Sequence, residues 1–117
     1  MCGIAGVFHF KNSNQTNENL LQRMSDTIAH RGPDDSGSYV SRNRKLGFGF
    51  KRLSIIDLSP AGHQPMTNET NDIWVMFNGE IYNFESLKKE LQQKGHAFKS
   101  KTDTETIIHN YEEKGIN

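Results

Sequence analysis

Apolar positions along this 117-residue chain fall into short blocks of two different periods, separated by polar stretches rich in glycine and proline. Residues 3–10 (GIAGVFHF) combine β-forming and small residues and predict a buried strand. After a polar loop at 11–16, Leu20, Leu21, Met24 and Ile28 recur at helical spacing, with Asn17 placed to cap their helix. Residues 30–37 (HRGPDDSG) must be irregular, because Pro33 and two glycines interrupt any regular element. Short strands are predicted at 38–40, 46–50 and 53–57, followed by a loop at 59–65 (SPAGHQP). Residues 72–77 (DIWVMF) predict another strand, which ends at Asn78-Gly79. A helix then follows Asn83, turns Leu87 and Leu91 inward and stops at Gly95. The last helix opens with Thr102-Asp103-Thr104-Glu105, which has the form of a capping box. It carries Ile107, Ile108 and Tyr111 on one side and ends at Gly115.

This order of elements predicts an α+β fold, with helices covering a mainly antiparallel sheet. The length fits one small domain, residues 1–117. The final helix has an apolar face but no later element to meet it, so the domain is expected to be incomplete at its C-terminal end. Only 33% of the residues are hydrophobic, and no apolar run approaches the ~18 residues that would indicate a membrane span. No basic segment followed by an apolar stretch marks a secretory signal. Fourteen basic and fourteen acidic residues cancel, so no long-range field favours nucleic acid or a membrane surface. The single cysteine, Cys2, excludes an internal disulfide and predicts a reducing, cytoplasmic setting. The five histidines show no metal-ligand spacing, and no phosphate-cradling glycine loop is present. Neither a metal nor a nucleotide cofactor is therefore expected in this segment.

Cys2 directly follows the initiator methionine. Removal of Met1 would leave a free α-amino group beside the thiol, with an ordinary pKa of about 7.7–8.0. Such a group can take a proton and return it, which is the N-terminal nucleophile arrangement. A small buried residue opening a strand is the competing reading, since free cysteines commonly behave as hydrophobes. Asn78-Gly79 offers a side-chain amide and an unobstructed N–H as oxyanion donors, but the pair is equally a hairpin-turn signal. Arg52 could grip a carboxylate through two parallel hydrogen bonds, or could be a solvated cation on a strand edge. Glu80 and Asp103 could receive an ammonium group, or could be a surface acid and a helix-start residue. A substrate with a carboxylate, an ammonium and a distal amide would use all of these groups, and glutamine has all three.

Six segments together resemble the class II glutamine amidotransferases, and within them the N-terminal domain of glutamine-dependent asparagine synthetases. They are MCGIAGVF at the start, HRGPDDSG at 30–37, RLSIID at 52–57, Gln64-Pro65, FNGEIYN at 77–83 and TDTE at 102–105. The resemblance implies an N-terminal nucleophile hydrolase fold, two facing antiparallel sheets sandwiched between helices. It implies Cys2 as the nucleophile, Asn78 and Gly79 as the oxyanion hole, and Arg52 as the binder of the substrate carboxylate. The backbone of Leu53, Ser54, Ile55 and Ile56 would line the pocket, and Glu80 with Asp103 would hold the α-ammonium. The implied activity is glutamine amide hydrolysis, supplying ammonia for asparagine synthesis from aspartate and ATP. ATP and Mg belong to a synthetase domain or subunit that is absent from these residues, and a homodimer is allowed.

Relatives with other acceptors, in antibiotic, polysaccharide or amino-sugar pathways, share the glutamine chemistry and stay open as alternatives. So does an inactive interaction fragment. One departure is Phe50, where the resembled family often has histidine, and it is expected to alter packing beside the pocket only.

Overall fold

A computed structural model describes residues 1–55 and 57–116. Its element order is β1 (Gly3–Phe8), α1 (Glu18–Thr27), β2 (Asp35–Val40), β3 (Leu46–Arg52), β4 (Met66–Thr67), β5 (Trp74–Val75), α2 (Phe84–Gln93) and α3 (Thr104–Lys114). Single 3₁₀ turns occupy Ala29–Arg31 and Pro60–Gly62. The predicted α+β class, with antiparallel sheets and helices, is what the structure contains.

β3 is the central strand of the larger sheet, in the order β1-β3-β2, with both pairings antiparallel. Gly3 faces Lys51 and Phe8 faces Leu46 on one side, while Asp35 faces Arg52 and Val40 faces Gly47 on the other. Alternation along β3 divides its side chains between two faces. Gly47 and Gly49 lie on the first face, where a Cβ at either position would collide with Thr16, Leu21 or Ser25. Their bareness lets α1 sit directly on the sheet backbone. Asn17 caps this helix as predicted, its side chain accepting from the Leu20 N–H at 2.8 Å. Leu21 is fully buried beneath it.

The second face carries Phe48, Phe50 and Arg52. Phe50 has no exposed surface, so the position read as a departure from the resembled family is a core position of the sheet. A two-stranded antiparallel sheet, β4-β5, meets this face, and the Trp74 ring stacks on Tyr39 with centroids 4.1 Å apart. Leu91 of α2 and Ile108 of α3 are further buried apolar residues. Gly95 ends α2 as predicted, with a φ of 99° that only glycine adopts at little cost.

Four local expectations are corrected. Residues 30–37 are not irregular throughout, because Asp35, Ser36 and Gly37 pair with Arg52, Lys51 and Phe50 as the start of β2. None of the described residues in 53–57 is in a strand, because the loop at 57–62 turns back to enclose the Arg52 side chain instead of extending the sheet. The strand expected over 72–77 shrinks to Trp74–Val75, since β4 offers only two residues to pair with. Beyond it the Phe77 N–H donates to the Gln64 side chain at 2.7 Å. Residues 102–105 form no capping box, because their carboxylates are used elsewhere. Asp103 makes no side-chain cap, and Glu105 instead accepts from the Lys99 and Ser100 N–H groups, both at 2.7 Å.

Apolar surface remains open on the outer strand β1, where Ile4 and Phe8, with the neighbouring Phe10, are 48%, 61% and 70% exposed. Among the described residues, no helix is long and apolar enough to cross a membrane. Leu21→Ala should remove the contact that seats α1 on the sheet, at a cost of about 2–5 kcal/mol. Urea denaturation would read this as a lower midpoint at unchanged slope. A loss within about 0.5 kcal/mol, the range of surface substitutions, would mean that α1 does not depend on that contact.

Candidate active site

The site begins where β3 ends. One residue beyond Arg52, the Leu53 N–H points at Cys2 Sγ at 3.3 Å, and the thiol lies 3.5 Å from the Leu53 carbonyl to which it donates. The Cys2 carbonyl accepts from Arg31 Nε at 3.1 Å. From the same irregular segment, the Asp34 N–H donates to the Arg52 carbonyl at 3.0 Å, and Asp34 Oδ2 accepts from the Ser54 N–H at 2.8 Å. The HRGPDD stretch therefore secures the thiol-bearing residue and the strand end together. Met1 precedes Cys2 in this sequence and is exposed. The nitrogen of Cys2 is thus an amide, and becomes a base only once Met1 is removed.

Arg52 is 6% exposed, and a buried guanidinium needs hydrogen-bond partners. Its Nη1 donates to the Ser59 carbonyl at 2.9 Å and its Nη2 to the Asp57 carbonyl. Those bonds use two of the five guanidinium N–H groups. Gly62 packs against the same group, and a Cβ there would overlap Nη2.

Cys2, Arg52, Leu53 and Ile55 line one cavity of about 100 Å³. Asn78, Gly79, Glu80 and Asp103 line it too. Residues from the N-terminus, the end of β3, the segment after β5 and the start of α3 thus face one space. Ser54 differs from the expectation, lining instead a neighbouring cavity with Asp34, Asp35 and His63, where its N–H is taken by Asp34. Ile56 lies outside the described residues. Asp103 is 5% exposed and accepts the Ile81 N–H on Oδ2 at 2.8 Å, which joins the start of α3 to the segment carrying Asn78.

Two further residues of the cavity wall received no role from the sequence. Gln64 is buried, accepts from the Phe77 N–H and donates to Thr104 Oγ1 at 3.2 Å. It therefore holds the backbone just before Asn78 against α3. Asp57 accepts from the Ser59 N–H at 2.8 Å and from the Lys101 N–H at 2.9 Å. The Ser59 hydroxyl first, then the Lys101 and Ser59 N–H groups, hold its carboxyl down to about 2, with the Arg52 charge adding a little. Both residues sat inside segments noted for the resemblance, but nothing in their spacing announces a bridge to residues some forty positions away.

A family model described as glutamine amidotransferase domain matches residues 1–117. The chain is 47% identical over 118 residues to the glutamine-hydrolyzing asparagine synthetase 2 of Bacillus subtilis, covering 99% of this chain and 15% of the relative. It is 41% identical over 116 residues to the glutamine-hydrolyzing asparagine synthetase 1 of Arabidopsis thaliana, covering 99% of this chain and 19% of that protein. It is also 43% identical over 96 residues to the amidase chry2 of Gibberella zeae, covering 82% of this chain and 14% of that one. The chain thus spans less than a fifth of the length of each.

Asp57 makes this corner of the molecule acid-sensitive. Its carboxyl titrates lower in the folded chain than in the unfolded one, so its contribution is complete above about pH 4 and disappears as pH falls toward 2. Thermal melts across this range should show the parent losing more stability than Asp57→Asn, which should already melt lower at neutral pH. Equal losses in the two proteins would remove Asp57 from the account.

Proposed function

From membership of the glutamine amidotransferase domain family, to which this chain belongs over residues 1–117, we propose that it hydrolyses the side-chain amide of glutamine with Cys2 as nucleophile. The observation that carries this reading is the convergence of Cys2, Arg52, Asn78, Gly79, Glu80 and Asp103 on one cavity, from four separate parts of the chain. After loss of Met1, the α-amino group of Cys2 takes the thiol proton as sulfur attacks the amide carbon. The Asn78 side-chain amide and the Gly79 N–H stabilise the oxyanion, where fixed donors have their largest effect. The amino group passes its proton to the leaving nitrogen, ammonia departs and a thioester remains. Water, activated by the same amino group, then releases glutamate and restores the thiol.

Substrate choice follows from charge. Arg52 retains donors beyond the two given to the Asp57 and Ser59 carbonyls, and these bind the α-carboxylate. Asp103 has a second carboxylate oxygen besides the one given to Ile81, and with Glu80 it receives the α-ammonium. The main chain at Leu53 and Ile55 forms the wall between them. The fold on this reading is of the N-terminal nucleophile hydrolase type, with β1-β3-β2 and β4-β5 belonging to its two facing sheets.

The ammonia is proposed to serve asparagine synthesis, on a synthetase domain or subunit that binds aspartate, ATP and Mg, with the reaction set in the cytoplasm. Relatives named asparagine synthetase support that acceptor. The similarity to a protein named as an amidase favours a second reading, in which the amide chemistry serves something other than asparagine synthesis.

An electrophilic glutamine analogue that traps active-site thiols, followed by mass spectrometry, should give one adduct on a methionine-free Cys2 that excess glutamine blocks. Labelling that glutamine leaves untouched would defeat the proposal. Cys2→Ala should abolish glutaminase turnover while glutamine still binds. Asn78→Ala should slow turnover by roughly 10²–10³-fold if its amide serves the oxyanion, and an unchanged rate would leave it a turn residue.

A further inference from the structure

Away from the cavity lined by Cys2, two imidazoles converge on one carboxylate oxygen. His109 Nδ1 lies 2.8 Å from Glu112 Oε2, and His96 Nδ1 lies 3.3 Å from the same oxygen. Donor atoms of the three residues all fall within 4.8 Å of one another. We propose that His96, His109 and Glu112 bind a divalent transition-metal ion of the Zn²⁺ type, which clamps α3 to the segment following α2.

Two imidazoles and a carboxylate form a donor set that suits Zn²⁺ and its neighbours better than Mg²⁺ or Ca²⁺. His109 and Glu112 are neighbours on one helical face, at positions i and i+3. His96 is brought to them by the turn at Gly95, which reverses the chain after α2. A tetrahedral ion with bonds of about 2.0–2.1 Å separates its ligand atoms by about 3.3 Å. The His96–Glu112 separation already has that value, the His109–Glu112 contact must open by about half an ångström, and the two imidazole donor atoms, within 4.8 Å of each other, must close by up to about 1.5 Å.

Outer contacts support the same assignment. His96 Nε2 lies 2.9 Å from Glu113 Oε1, and Asn68 Nδ2 donates to Glu112 Oε1 at 2.9 Å. Carboxylates and amides behind ligands in this way fix ring orientation at metal centres. His109 is 2% exposed, and its Nε2 has no hydrogen-bond partner among the described residues. With a metal on Nδ1, that buried nitrogen carries a proton and faces Glu105 Oε1 at 3.7 Å. Three carboxylates, of Glu105, Glu112 and Glu113, surround the two rings, and the charge of Lys94 beside Glu113 offsets only one of them. The side chains of His96 and Glu112 are 17% and 23% exposed, so water can take the fourth position.

The test uses the full chain carrying Cys2→Ala, because a terminal thiol and amine would themselves chelate Zn²⁺. Calorimetric titration with Zn²⁺ should give one ion per chain, and Co²⁺ should give the visible absorption of a four-coordinate site. Glu113→Gln should weaken binding by about 10–100-fold, and His96→Ala and Glu112→Gln, which remove ligands, by at least as much. Circular dichroism confirms that each variant is folded. Absence of stoichiometric binding, or affinity unchanged in both His96→Ala and Glu112→Gln, would overturn the proposal and leave an imidazole–carboxylate network alone.

Discussion

The end of β3 is the constraint on which the rest of the site depends. Arg52 is the last residue of the central strand, and its main chain is held by pairing with Asp35 and by the Asp34 N–H. Its guanidinium then turns into the protein and gathers the Asp57 and Ser59 carbonyls around itself. Leu53 consequently stands where its N–H and carbonyl bracket the Cys2 thiol. A charge buried at this depth is tolerated only with such partners, and the loop at 57–62 takes its shape from supplying them. The same side chain that shapes the loop also lines the cavity.

Carboxylates organise the irregular segments in the same manner. Asp34 accepts the Ser54 N–H, Asp57 those of Ser59 and Lys101, and Asp103 that of Ile81. Glu105 accepts those of Lys99 and Ser100. These N–H groups have no strand or helix partner, and buried main-chain donors must be satisfied somewhere. Bonds to an ionised acceptor are the stronger kind, so a few acids replace the ladders that a longer sheet would provide. The consequence is a site built almost wholly on loops but pinned at defined points.

The region around α3 shows how one short helix serves several demands. Its first turn sends Asp103 and Thr104 to the cavity wall, and Glu105 closes the preceding loop. Its middle buries Ile108 on the side of Phe48, Trp74 and Val75, and its last turns bring His109 and Glu112 toward His96. These faces belong to one rigid element, so whatever steadies the His96 end also steadies Asp103 beside the cavity.

The sequence by itself determined the local elements whose causes are local. Asn17 caps α1, the Leu87 and Leu91 spacing with Gly95 defines α2, and alternating small and large residues mark β1 and β3. It also marked most of the residues that line the cavity, through six short segments in a recognisable order. Tertiary structure decided the rest, because the deciding partners are far away in sequence. Residues 53–57 have the composition of a strand, yet the described part of the segment is a loop because Arg52 needs carbonyls. Asp103 looks like a helix-start residue, yet it serves Ile81 on another segment. Gln64 and Asp57 are ordinary polar residues until the fold places main-chain N–H groups beside them. His96 and His109 show no ligand spacing along the chain and meet only because α2 and α3 pack together. Periodicity and capping act within one or two turns of the chain. Pairing across loops depends on closure of the whole molecule.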